Sequence, residues 1–296
     1  ESGKKWLAFQ VATTYGLDKE TMADRLLWTT QNTSLITRVA TDPIDNIGDW
    51  EAADEPWQFL AACEEYYSVV ITEERKTTGL FVATDATCSG LQILAGLARD
   101  KKTAQLVNVL PSDRPQDAYK VVADVAKPNC PIHIREVMDR KTVKRTVMTI
   151  PYNAKPFSNR SYIRDALKEK GIEIDKEDLT VTVQAVRNAM NKVVPGPMKV
   201  MKWIEDEVRN VIKRGALNIE WVTPSGFVVK QRIMATKKKD IRLQLLGECR
   251  LKIAVDKSEA DINRHRAATA PNLIHSLDAS LLHLSVDKFD KPIALI

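Results

Sequence analysis

The stretch that decides the reading is Arg140-Lys141-Thr142-Val143-Lys144-Arg145-Thr146-Val147-Met148-Thr149-Ile150-Pro151-Tyr152. Arg140, Lys144, Met148 and Tyr152 recur every fourth residue, so a helix gathers them into one slowly drifting stripe that projects two cations and a phenol. Arg brings a planar fork for phosphate oxygens and Lys a compact point charge, the pairing that phosphoryl transfer uses for positioning and neutralisation. One face can then hold a triphosphate at one end and a sugar or base at the other. Taken alone, a stripe of this kind is more often a solvated helix face.

The surrounding charge favours an anion. From Arg140 to Arg164 the chain carries Arg140, Lys141, Lys144, Arg145, Lys155, Arg160 and Arg164 with no Asp or Glu among them. Solvated basic faces normally interleave acids, so seven uncompensated cations invite phosphate. Over the whole chain the net charge is +5, but residues 1–75 hold 14 acids and 6 bases, which leaves +13 on the remainder. That asymmetry points the later part toward an anionic partner.

Upstream, Gly79-Leu80-Phe81-Val82-Ala83-Thr84-Asp85 reads as a buried strand that delivers a carboxylate into the turn Cys88-Ser89-Gly90, before an apolar helical pattern running to Arg99-Asp100. A carboxylate at a strand end can hold Mg²⁺, and a metal beside a basic clamp is minimal equipment for nucleotidyl transfer. An isolated Asp there is usually a cap or turn former. Helices are expected around 113–126, 135–150 and 179–214, the last broken at Pro195-Gly196-Pro197. Asn218 to Arg232 reads as a β-hairpin turning at Thr223-Pro224-Ser225-Gly226, and a basic segment follows from Lys237 to Lys252. Pro271 is expected to open a helix to about Leu284, with a terminal strand from near Ile293.

The 296 residues, 44% hydrophobic and 28% charged, exclude intrinsic disorder and small disulfide scaffolds. No apolar run is long enough for a membrane span. Cys63, Cys88, Cys130 and Cys249 lie far apart without a CxxC pair, which reads as reduced thiols. Glu1 at the start and the apolar run Pro292-Ile293-Ala294-Leu295-Ile296 at the end create the expectation of a fragment cut from a longer protein.

Three stretches, Asp85-Ala86-Thr87-Cys88-Ser89-Gly90-Leu91-Gln92, Arg140 to Thr149, and Ala270-Pro271-Asn272-Leu273-Ile274-His275-Ser276-Leu277-Asp278, together resemble the single-subunit, phage-type DNA-directed RNA polymerases, and in the same order. Trp221-Val222-Thr223-Pro224-Ser225-Gly226-Phe227 extends the likeness across nearly the whole chain. The resemblance implies an α+β, mostly helical fold and part of a right hand: palm over residues 1–113, fingers over 114–275, and the first return to the palm over 276–296. It implies transcription by templated transfer of ribonucleoside triphosphates to an RNA 3′ end with two Mg²⁺ ions. The implied partners are double-stranded DNA template and promoter, nascent RNA and ribonucleoside triphosphates, with no membrane, in a monomeric parent enzyme of the cytoplasm rather than the mitochondrion.

By position, Asp85 is similar to the palm aspartate that binds both metals, with the Ala86 carbonyl as a lesser ligand. Arg140 and Lys144 match residues on the incoming phosphates, Tyr152 the tyrosine that selects ribose, His275 the histidine near the 2′-hydroxyl, and Tyr119 a further active-site tyrosine. Arg242, Gln244, Arg250 and Lys252 stand at the reading positions of a promoter-reading hairpin. The second catalytic aspartate of the family is expected just beyond Ile296, so the chain alone is expected to bind nucleic acid weakly and to make no RNA.

Ala86 and Asn153 stand where Gly is usual, Ile93 and Leu281 where His is usual, and Pro151 removes a backbone donor just before Tyr152, which leaves open whether the phenol keeps to the stripe. The nearest rival is a family A DNA polymerase, which places a bulky Glu where this chain has Gly90; the glycine is expected to leave room for a ribose hydroxyl. A non-catalytic nucleic-acid-binding module is a second alternative. A zinc site at Cys130-Pro131-Ile132-His133 is a third, lacking a second ligand pair.

Overall fold

The computed structural model describes residues 2–82, 86–112, 114–243, 249–290 and 293. The chain is mostly helical α+β and divides into two compact units, one of Glu1–Ala86, Ser112–Pro115 and Lys291–Ile296, the other of Thr87–Pro111 and Gln116–Asp290.

The first unit is built on the helices Ser2–Ala12, Met22–Gln31, Thr33–Thr41 and Pro56–Tyr66. Thr21 caps the second through the Asp24 amide, and Pro56 opens the fourth, where its missing N–H costs nothing. Their apolar faces meet at Leu7, Val11, Ile36, Val39, Phe59 and Cys63. Phe59 is fully buried, so truncation to Ala would cost about 3–5 kcal/mol. The strand expected at 79–85 does not form over Gly79–Val82. Extended backbone needs a ladder partner for its N–H and C=O groups, and the described residues offer this segment none. Leu80 packs instead against the apolar cluster.

In the second unit the helices Ser89–Ala98, Ala118–Ala126, Arg140–Thr149, Pro156–Lys168 and Lys176–Val193 enclose a core that includes Leu91, Tyr119, Val122, Val143, Val147, Leu167 and Met190. The Arg140–Thr149 helix turns Thr142, Val143, Thr146 and Val147 inward, which leaves Lys144 and Met148 exposed on its other face. The helix expected from 113 begins at Ala118, because Asp117 caps it by accepting from the Tyr119 and Lys120 amides. Pro195–Lys213 follows the break at Val194.

Ile219–Val222 pairs antiparallel with Val228–Gln231 through the expected turn, and Met234–Leu243 pairs antiparallel with Cys249–Ala260. Among the described residues these hairpins are separate two-stranded sheets. The last helix runs Ile262–Lys288, beginning nine residues before the proline expected to open it; Pro271 lies inside. Asp261 provides the N-cap by accepting from the Arg264 amide, so the start signal is this Asp. The terminal strand expected from Ile293 falls largely outside the described residues. Among them, Cys63, Cys88 and Cys130 are free thiols, as expected.

Candidate functional site

The basic helix is held at its start by two carboxylates, its own N-cap Asp139 and the upstream Asp117. Asp139 caps it by accepting from the Thr142 amide at 3.0 Å, and Lys170 pairs with Asp139 at 2.6 Å. Arg140 is not an uncompensated cation: its Nε donates to Asp117 Oδ2 at 2.8 Å, and its guanidinium lies 5.4 Å from the centroid of the Tyr119 ring. The acid-free count from 140 to 164 failed here because the balancing charge comes from 23 residues upstream. Asp117 therefore caps one helix and aims the Arg of another. Lys144, one turn on, is exposed.

The helix ends in a device that seats Tyr152. Proline at 151 cannot bond the Val147 carbonyl, so the α-helix stops at Thr149 and a 3₁₀ turn spans Ile150–Tyr152. A 3₁₀ turn advances roughly 20° more per residue than an α-helix, so the phenol does not continue the ideal stripe of an unbroken helix. Asn153 then takes the left-handed conformation at φ 62°, its amide bonding the Ile150 carbonyl at 2.8 Å while the Ala154 amide bonds that of Thr149 at 3.1 Å. This is a Schellman ending with Asn in the position usually given to Gly.

Tyr152 packs between two other elements. Its ring stacks on His275, with centroids 4.4 Å apart and planes 12° apart. On another side is Gly90, where an added Cβ would lie 3.0 Å from the phenol Cζ and Oη. The phenol therefore lines the space beside Gly90, where a side chain would collide with it. The phenol oxygen lies 3.3 Å from Ser89 Oγ and 3.5 Å from Asp278 Oδ2, and Ser89 donates to the same carboxylate oxygen at 3.4 Å. These separations are long for O–H···O bonds, so the triangle is loose. Burial pushes the phenol pKa up, opposed by the Ser89 bond and reinforced by the Asp278 charge, which keeps Tyr152 a neutral donor and acceptor near pH 7.

Tyr119 is buried, and its hydroxyl donates to the Thr87 carbonyl at 2.9 Å. Placed there it fixes the backbone at Thr87 and backs the guanidinium of Arg140. Asp85 lies outside the described residues, and Ala86 is exposed. Among the described residues no group of three His, Cys, Asp or Glu side chains could hold a metal ion, so they do not by themselves form a Mg²⁺ site. The zinc alternative at Cys130 and His133 finds no such group either; Cys130 donates to the Ala126 carbonyl and His133 faces Asp178 at 3.6 Å.

In the second hairpin, Arg242 pairs in register with Arg250, and Lys252 with Asp240. Pleat parity puts positions 242, 250 and 252 on one side of the ribbon. Gln244 lies outside the described residues. The ribbon's base is fixed: the Asp261 amide donates to the Ile233 carbonyl, and the Ile233 amide donates to Nε2 of the buried His265. The first hairpin is pinned to the last helix by Trp221 Nε1 donating to Ser276 Oγ at 2.9 Å and by the Ser225 amide donating to Ser280 Oγ at 2.8 Å. No described helix is long and apolar enough to cross a membrane.

Sequence reasoning missed Asp117 as the partner of Arg140 and Ser89 and Asp278 as the neighbours of the Tyr152 phenol. The local signal at Asp117 is that of a helix cap, which gives no hint of a second duty.

The site thus brings together a basic helix, the phenol at its end and the imidazole on which that phenol rests. The sequence matches the DNA-dependent RNA polymerase family over residues 1–294, and the chain belongs to that family. It is 29% identical to the DNA-directed RNA polymerase of Enterobacteria phage K11, over 96% of this chain and 38% of that protein. It is 27% identical to T7 RNA polymerase of Escherichia phage T7, over 97% and 39%. The mitochondrial DNA-directed RNA polymerase of Mus musculus is 30% identical, over 96% of this chain and 25% of its own length. The chain thus spans about two fifths of the length of the phage relatives it matches. These relatives do not favour the DNA-polymerase alternative.

Proposed function

We propose that this chain is the part of a DNA-directed RNA polymerase that grips the incoming ribonucleoside triphosphate, with residues 1–113 contributing palm, 114–275 fingers and 276–296 the return to the palm. Arg140 and Lys144 hold the phosphates, and Asp117 fixes the direction from which Arg140 does so. Tyr152 meets the ribose 2′-hydroxyl, with His275 stacked behind it. The metal would be Mg²⁺, carried on Asp85 and the Ala86 carbonyl, and it would neutralise charge on the reacting phosphate.

In such a transfer the RNA 3′-oxygen attacks the α-phosphorus as pyrophosphate leaves, so charge builds on phosphate oxygens where a preorganised cation pair acts best. Arg242, Gln244, Arg250 and Lys252 would meet promoter DNA. The phage relatives support a host-cytoplasmic setting, though organellar relatives also match.

The observation that carries the reading is the seat of Tyr152, packed on Gly90 and His275 at the end of the helix that carries Arg140 and Lys144. The phenol's contacts with Ser89 and Asp278 are long, which supports a reading in which a ribose hydroxyl takes the place of one of them. In the complete polymerase, Tyr152→Phe should relax the preference for ribonucleotides over deoxyribonucleotides while elongation on ribonucleotides stays largely intact. An unchanged incorporation ratio would assign sugar choice to another residue.

A further inference from the structure

Pro271 lies within the last helix, where it has no N–H to give the carbonyl of Ala267 four residues back, and its ring crowds that carbonyl outward. A helix interior carbonyl that loses its donor needs another. It is supplied from 114 residues away in sequence: Asn153 Nδ2 donates to the Ala267 carbonyl at 2.8 Å. The other end of the same amide accepts from Lys155 Nζ at 2.5 Å, so both partners agree on which atom is nitrogen. Asn153 is also the left-handed residue that ends the basic helix, directly after Tyr152. His275 follows Pro271 by one helical turn, and its ring is the one stacked on Tyr152.

We propose that Asn153 is a positioning residue that replaces the backbone donor missing at Pro271 and thereby ties the end of the basic helix to the helical turn carrying His275, fixing the Tyr152–His275 stack. The significance of the stack for nucleotide choice rests on the function proposed above. Asn suits the position twice over. It enters the left-handed region more readily than most residues, and unlike Gly, the other residue at ease there, it has a donor to extend. The tie holds both rings by their backbones, so neither ring needs a strong bond of its own.

The proposal is tested by a double-mutant cycle of Asn153→Gly and Pro271→Ala. Glycine keeps φ 62° without strain and deletes only the amide, while Pro271→Ala restores the backbone N–H that the Ala267 carbonyl lacks. Ring-proton shifts of His275, assigned by loss in His275→Gln, report stacking on Tyr152 in the full chain. Asn153→Gly should move these shifts toward unstacked values, and Pro271→Ala should largely cancel that movement. In the complete polymerase, Asn153→Gly should lower ribonucleotide selectivity by roughly threefold to tenfold, the factor set by one ordinary hydrogen bond, and by less than about twofold in the Pro271→Ala background. Asn153→Asp, which keeps shape and left-handed tolerance but presents an acceptor to the carbonyl, should act in the same direction as Gly. Unchanged His275 shifts in Asn153→Gly, or an equal effect with and without Pro271, would overturn the tie. Shifts that follow the cycle while selectivity does not would uphold the tie and overturn the sugar-selecting role of Tyr152.

Discussion

At the scale of single residues, the site works through small groups that admit or aim larger ones. Gly90 is the sharpest case: a Cβ there meets Tyr152 at 3.0 Å and the Pro151 side chain at 3.1 Å, closer than ordinary packing allows. Gly90→Ala should therefore destabilise the second unit by about 1–3 kcal/mol, the usual cost of overpacking, and displace the phenol. Chemical denaturation measures the first effect, and Tyr152→Phe should recover part of it by removing the nearest oxygen. Stability equal to wild type in Gly90→Ala would contradict the close packing. That Arg140 and Lys144 share one helix was legible because they lie on one repeating stripe. The ion pairs around them were not, because Asp117 meets Arg140 and Asp139 meets Lys170 across folds of the chain that periodicity does not report.

At the scale of elements, the helix from Arg140 to Thr149 was readable because its apolar and basic residues keep the helical period and a cap precedes it. The rule that Pro271 opens a helix failed for a physical reason: the donor that Pro271 removes is replaced by Asn153 from a distant segment, so the penalty that normally ends a helix is offset. The strand expected at 79–85 failed over Gly79–Val82 because apolar run and extended propensity do not supply a neighbour. The second hairpin makes a test of its own. With its base fixed through Ile233, Asp261 and His265, its arms present positions 242, 250 and 252 on one side. Arg reads guanine bidentately and Gln reads adenine, so replacing Arg242 or Gln244 should alter promoter preference at one base pair by roughly 1–3 kcal/mol. Promoter competition assays on single-base variants would show this; a uniform loss on every template would make these residues phosphate contacts instead.

At the scale of the whole molecule, the charge asymmetry sets a broad expectation. The residues after 75 carry +13, so nucleic-acid affinity should fall steeply as salt rises, as counterion release requires. Binding measured across a salt series should give a clearly negative log–log slope, and a flat one would show that the basic surface is not what nucleic acid touches. The most direct test of the central claim is RNA synthesis by the complete polymerase with the nucleotide grip weakened one cation at a time. Removing one preorganised charge contact should cost about 2–4 kcal/mol of transition-state stabilisation. Arg140→Ala and Lys144→Ala should each lower kcat/KM for ribonucleotide incorporation by roughly 30-fold to 1,000-fold, at the conversion of about 1.4 kcal/mol per factor of ten. Synthesis within about threefold of wild type in both variants would contradict the assignment of this helix to the incoming triphosphate.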